Sequence, residues 1–125
     1  MSTVEMSSAQ DLLAKMRAGM GSVPAAIEKS TLVDESLIKE HMRSRMYAMP
    51  EGGALDEQTR TLIYLAAALA GSSATCVQAM ANKVEKQGIP KDKVIETLRI
   101  VRFAMSSKVI GDAEPVFQAL INSSK

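Results

Sequence analysis

Apolar positions recur at helical spacing in successive segments, and no alternating strand pattern of useful length interrupts them. Ser7 or Ser8 is placed to cap a first helix running to about residue 19, with Leu12, Leu13, Met16 and Met20 on one side. Gly21 ends it, and residues 1–6 read as a flexible tail. Pro24 suits the first turn of a short second helix over 24–31. Asp34 caps a third helix over 35–49, whose apolar stripe is Leu37, Ile38, Met42, Met46 and Met49. Pro50-Glu51-Gly52-Gly53 is a loop. Asp56 caps a fourth helix over 57–70. Gly71-Ser72-Ser73 breaks the chain, and a fifth helix over 74–87 ends at Gly88. Pro90 opens a sixth helix to about residue 108, and Gly111 or Asp112 starts the last, to about residue 122. The expectation is an all-α bundle of six to seven helices, one domain over residues 1–125.

Two helices carry more apolar surface than one buried stripe needs. The fourth is apolar around nearly its whole circumference through Leu62, Ile63, Tyr64, Leu65, Leu69 and its alanines. In the sixth, Val94, Leu98, Val101 and Met105 form one seam, while Ile95, Ile100 and Phe103 lie off it. In so small a chain the surplus predicts self-association, from a dimer to a hexamer.

Composition narrows the partners. Fifteen basic and fourteen acidic residues leave a net charge of +1, which carries no footprint for nucleic acid. The basic run Lys39–Arg45 holds a Glu and reads as a solvated helix face. The most apolar stretch, residues 62–70, is too short to span a bilayer, so no membrane partner is expected. The opening residues resemble no signal peptide. One cysteine excludes an intrachain disulfide and fits a reducing, cytoplasmic setting. No cofactor motif is present. Cys76 and Met80 form a soft pair, but two ligands are too few for a metal site.

Residues 55–98, LDEQTRTLIYLAAALAGSSATCVQAMANKVEKQGIPKDKVIETL, carry a recognisable frame. Leu-Asp and then Thr-Arg open a helix; an Ala-rich run, a polar break and a Cys-bearing helix ending at Gly follow. A Pro-led helix with Ile95, Glu96 and Leu98 comes next, and Gly21-x-x-Pro24 lies upstream. In these features the region 21–122 resembles the carboxymuconolactone decarboxylase and alkylhydroperoxidase D-like family. The resemblance implies that family's helical bundle.

It also implies a depleted site. The redox branch of the family carries Cys-x-x-Cys-x-x-x-His, with the His a fixed distance before the helix-ending Gly. In that register Ser73 stands at the first Cys, Cys76 at the second and Met80 at the His. The relay Glu of that branch falls at Thr61, after Arg60. Of the four groups only Cys76 survives. Without a second thiol, the oxidised Cys76 has no resolving partner in the chain. The decarboxylase branch is no better served, because Met80 cannot do acid–base work. His41, the one histidine, reads as a surface residue of the third helix.

Cys76 in the first turn of a helix capped by Ser73 gains from the helix dipole and from a hydroxyl one turn away. Its neighbours Ala74, Val77, Ala79 and Met80 are small or apolar, which favours inert packing. Three functions stay open. The one the residues favour is a non-catalytic oligomer that binds a ligand or partner in the old cleft. The second is a single-cysteine thiol peroxidase, an antioxidant enzyme that uses Cys76 with an external thiol reductant. The third is a lyase on a small organic acid, using Arg60, Tyr64 and Glu96.

Overall fold

A computed structural model of the chain describes residues 8–20 and 23–124, the side chain of Met20 excepted. The expected tail, a cap at Ser7 and the stop at Gly21 lie outside the described residues. Those residues form seven helices and no strand: α1 (Ala9–Met20), α2 (Ala25–Val33), α3 (Glu35–Ala48), α4 (Glu57–Ala70), α5 (Ala74–Gln87), α6 (Lys91–Asp112) and α7 (Glu114–Ser123).

The helix starts follow from local chemistry. Orphan backbone N–H groups at an N-terminus need acceptors. Ser8 Oγ accepts from the Asp11 N–H at 3.1 Å, Asp34 Oδ1 from Ser36 at 2.9 Å, and Asp56 Oδ1 from Thr59 at 2.8 Å. Gly88 closes α5 at φ 61°, in the left-handed region where a side chain is disfavoured. At the end of α4 the left-handed residue is Ser72, at φ 57°, inside the expected break Gly71-Ser72-Ser73.

Two expectations are corrected. Gly111 does not start the last helix; α6 runs straight through it to Asp112. The break comes where Ala113 turns its N–H back on the carbonyls of Val109 and Ile110, and Pro115 occupies the first turn of α7. A proline is tolerated there because its missing N–H would have had no partner. In α3, Ile38 and Met42 are buried, but Leu37 and Met46 face outward. The stripe is therefore narrower than the five positions proposed for it.

Two apolar clusters hold the bundle. Ala9, Leu12, Leu13 and Met16 of α1 pack on Ile38 and Met42 of α3, with Val23 and Ile27 against them. Leu65 of α4 packs on Ala79 and Met80 of α5, with Tyr64, Leu69 and Val77 alongside. Lys86 of α5 ties the two together by donating to the carbonyls of Ala18 and Gly19 at 2.8 and 3.1 Å. A cation at a helix C-terminus also meets the negative end of its dipole.

The C-terminal helices differ. Past Val101 no described residue is buried. Ile100, Phe103, Met105, Val109 and Ile110 of α6 and Val116, Phe117, Leu120 and Ile121 of α7 are all exposed. The chain exposes 8943 Å² in total. A compact monomer of its mass would expose roughly 6,500 Å². No helix among the described residues is long and apolar enough to cross a membrane.

Candidate functional site

Where the two clusters meet, they leave a cavity of about 400 Å³. Met16 and Ile27 close one side. His41, Arg45 and Met49 line it from α3, Arg60, Thr61 and Tyr64 from α4, and Cys76, Met80 and Lys83 from α5. The size lies within the roughly 300–1,000 Å³ of small-molecule pockets. Its walls are mostly apolar, and its charged groups come from α3, α4 and α5.

Cys76 occupies the third position of α5 and is half-buried at the cavity wall. Ser73 caps the helix, its Oγ accepting from the Cys76 N–H at 3.4 Å. Tyr64, about two turns into α4, brings its hydroxyl to 3.5 Å from Cys76 Sγ. These contacts set the ionisation. Hydrogen bonding from Ser73, then from Tyr64, holds the Cys76 thiol below its ordinary pKa, against an opposing push from burial. The same contact holds the Tyr64 hydroxyl above its ordinary value, helped by burial and by the nearby sulfur. Both directions favour sulfur over the phenol oxygen as the site of any negative charge the pair carries. When the thiol is ionised, Tyr64 is the donor.

Of the three degenerate positions, Ser73 is the helix cap and the other two serve the packing. Thr61 is the one buried polar residue among those described, at 3% exposure. Its hydroxyl lies 3.1 Å from the Glu57 carbonyl oxygen and 3.1 Å from Gln87 Oε1, tying α4 to the end of α5. Gln58 reinforces the tie by donating to the Gln87 carbonyl at 3.2 Å. Met80 is buried against Leu65 and Ala79, with one edge on the cavity. Neither residue is a titratable group.

His41 is exposed, as the sequence implied, but it stands on the cavity rim. Arg60 and Tyr64 line the cavity, whereas Glu96 is exposed on α6 and does not. Arg60 runs across the loop before α4, so close to Gly53 that a Cβ there would meet its Nη2 at 2.1 Å. Two cationic lining residues escaped the sequence reading. Arg45 was assigned to a solvated face, yet it follows Ile38 by seven positions and Met42 by three. Lys83 follows Cys76 and Met80 at the same two spacings. That spacing places each on the buried side of its helix, and it was the available signal. No group of three or more His, Cys, Asp or Glu gathers in one place among the described residues.

Residues 38–118 match the sequence profile of the carboxymuconolactone decarboxylase family. The matched stretch starts within α3, takes in Cys76, Tyr64, Arg45 and Lys83, and ends within α7. Comparison with curated proteins finds no match.

Proposed function

The chain belongs to the carboxymuconolactone decarboxylase family, and on that premise we propose that it is a redox protein working through the single thiol of Cys76. The observation that carries this reading is the Tyr64 hydroxyl 3.5 Å from Cys76 Sγ at the wall of a small-molecule-sized cavity. A thiolate is the nucleophile in peroxide reduction, and an ionised thiol is what Ser73 and Tyr64 favour here. The thiolate attacks the outer oxygen of a hydroperoxide and the O–O bond breaks. Cys76 becomes a sulfenic acid and an alcohol leaves. Tyr64, which retains its proton, is the nearest acid for the departing oxygen. An external thiol then condenses with the sulfenic acid to a mixed disulfide, releasing water. A second external thiol restores Cys76 and leaves as the external disulfide.

The test is peroxide consumption with a small-thiol reductant, compared with Cys76→Ser. The expected result is turnover that depends on both the reductant and Cys76. Equal consumption by the variant, or alkylation of native protein no faster than that of a buried control thiol, removes the reading.

Non-catalytic ligand binding in the same cavity is the second reading. It is supported by Thr61 and Met80, which supply packing and helix ties where an acid–base relay would stand. It predicts binding with no turnover. A lyase using Arg60, Tyr64 and Glu96 together finds no support, since Glu96 lies off the cavity.

Self-association belongs to the same proposal. Nine large apolar residues of α6 and α7 stand exposed, and a standard interface takes roughly 800 Å² from each partner. A homo-oligomer of two to six copies, without nucleic acid or membrane partners, is the assembly this favours.

A further inference from the structure

We propose that the cavity takes an amphipathic carboxylate, its acid group held by Arg45 and Lys83 and its apolar body lying against Met16, Ile27, Met49 and Met80. This rests on the cavity of the proposed function and not on its thiol step. Under the redox reading, the natural oxidant becomes a hydroperoxide that carries an acid group, such as that of a fatty acid.

The argument begins with charge. Arg45, Arg60 and Lys83 line the cavity together with one carboxylate, Glu57. All three cations are half-buried. Among the described residues the ion pairs are Glu40 with Arg43 and Lys108 with Asp112, and neither touches this site. No side-chain hydrogen bond engages Arg45, Arg60 or Lys83 within the described residues. A partly desolvated cation without a counter-ion is unfavourable, and three around one cavity are more so. Lys83 registers this directly: burial first, and then the neighbouring Arg45 charge, hold its ammonium below the ordinary lysine value. Glu57 offsets only part of that. An entering anion supplies the missing charge.

The rest of the lining sets the other half of the ligand. Met16, Met80 and Ala79 are buried apolar groups, and Ile27 and Met49 are partly so. Methionine side chains adapt to irregular apolar shapes. Arg45 stands on α3 and Lys83 on α5, near enough for the Arg45 charge to act on the Lys83 ammonium, so a carboxylate between them is gripped from two helices. Cys76 lies one helical turn before Met80 on the same wall as Lys83. A chain anchored at the cations therefore passes the sulfur.

The test separates this inference from the thiol reading by measuring binding in Cys76→Ser, where no thiol chemistry can occur. Calorimetric titration with decanoate and with decanol, both below their aggregation limits, compares an acid with a neutral molecule of the same length. Decanoate is expected to bind at least about tenfold more tightly than decanol. The double variant Arg45→Gln/Lys83→Gln is expected to remove most of that preference while decanol binding changes little, and circular dichroism checks that it folds. Equal affinity for the two ligands, or a preference that survives the double variant, overturns the inference. So does failure of both to bind. In the thiol-containing protein, kcat/KM for a fatty-acid hydroperoxide over its methyl ester should fall in the same double variant. A ratio that does not change also counts against it. Absence of peroxidase turnover, with decanoate still selected, would instead remove the redox reading and leave this one standing.

Discussion

Leu12, Ile38 and Leu65 are almost fully buried, at 1%, 1% and 6% exposure, while Phe103 of α6 and Leu120 of α7 stand open at 75% and 60%. All five lie in helices whose apolar residues recur at the same spacing, and no local property separates them. The difference lies in what the chain can bring back over each helix. α1, α3, α4 and α5 close on one another through two clusters, with Lys86 joining them across the bundle. α6 packs on α4 and on α7, but no described residue past Val101 is buried. An apolar pattern therefore specifies a face to be covered. Whether the same chain covers it depends on topology.

The largest effect should come from breaking the arm, which is α6 past Val101 together with α7, as against the body of α1 to α5. Phe117→Glu with Leu120→Glu puts two charges where a neighbouring copy would bury two large side chains, each worth about 1.5–3 kcal/mol. The dissociation constant should rise by at least about a hundredfold. Sedimentation should show the mass falling from a multiple of 13.4 kDa toward that value, with helical content retained. A wild-type chain that sediments as a monomer at all concentrations would abolish the contrast between the regions as an account of assembly.

Core substitutions sharpen the contrast from the other side. Leu12→Ala should cost about 2–5 kcal/mol of unfolding free energy, because the pocket around a fully buried leucine relaxes only in part. Phe103→Ala, made in the dissociated double variant, should stay within about 0.5 kcal/mol. Urea melts of the two measure the difference. Similar losses at both positions would mean that the arm is already packed within the monomer.

The body and the arm also differ in how much was legible beforehand. Caps at Asp34, Asp56, Ser73 and Gly88 depend on a few adjacent residues, and all four read correctly from the sequence. The junction of α6 and α7 did not. Gly111 is a weak helix former, but α6 carries it without interruption, and Pro115 was the better signal for a new first turn. The family register singled out Thr61, Ser73, Cys76 and Met80; Thr61, Cys76 and Met80 line the cavity, and Ser73 caps the helix that carries the thiol. Tyr64 at the sulfur was out of reach, because that contact depends on how α4 and α5 rotate against each other. Arg45 was misassigned for a related reason: a basic run looks solvated until a neighbouring helix leaves a cavity under one of its members.

Tyr64→Phe asks whether that unforeseen contact matters. It removes an O–H that stabilises the thiolate while leaving the ring in place. The Cys76 pKa should rise, since the ionised form loses a donor and burial still opposes it. Alkylation at neutral pH should slow, and the gap to wild type should close once the pH exceeds the ordinary thiol range, where both proteins are ionised. The effect belongs to the body alone, so the oligomer mass should not move. An unchanged pH profile would leave Ser73 and the helix terminus as the groups that set the thiol.

The smallest effect is expected at Ser72. It sits at φ 57° between α4 and α5, in a conformation that glycine adopts without steric penalty and serine does not. The turn is fixed from both sides: the Ser72 N–H bonds the Leu69 carbonyl at 3.3 Å and the Ser73 N–H bonds the Ala68 carbonyl at 2.9 Å. Ser72 is exposed, so its side chain contributes little packing to offset the strain. Ser72→Gly relieves the steric cost but gives the unfolded chain more freedom to lose, and the two oppose each other. A net gain of about 0.5 kcal/mol is expected, read as a small rise in the urea midpoint at unchanged slope. Because the turn belongs to the body, this gain should appear equally in the oligomer and in the dissociated arm variant. A gain confined to the oligomer would instead mean that assembly reaches into the α4–α5 turn, and that the two regions are not energetically separate.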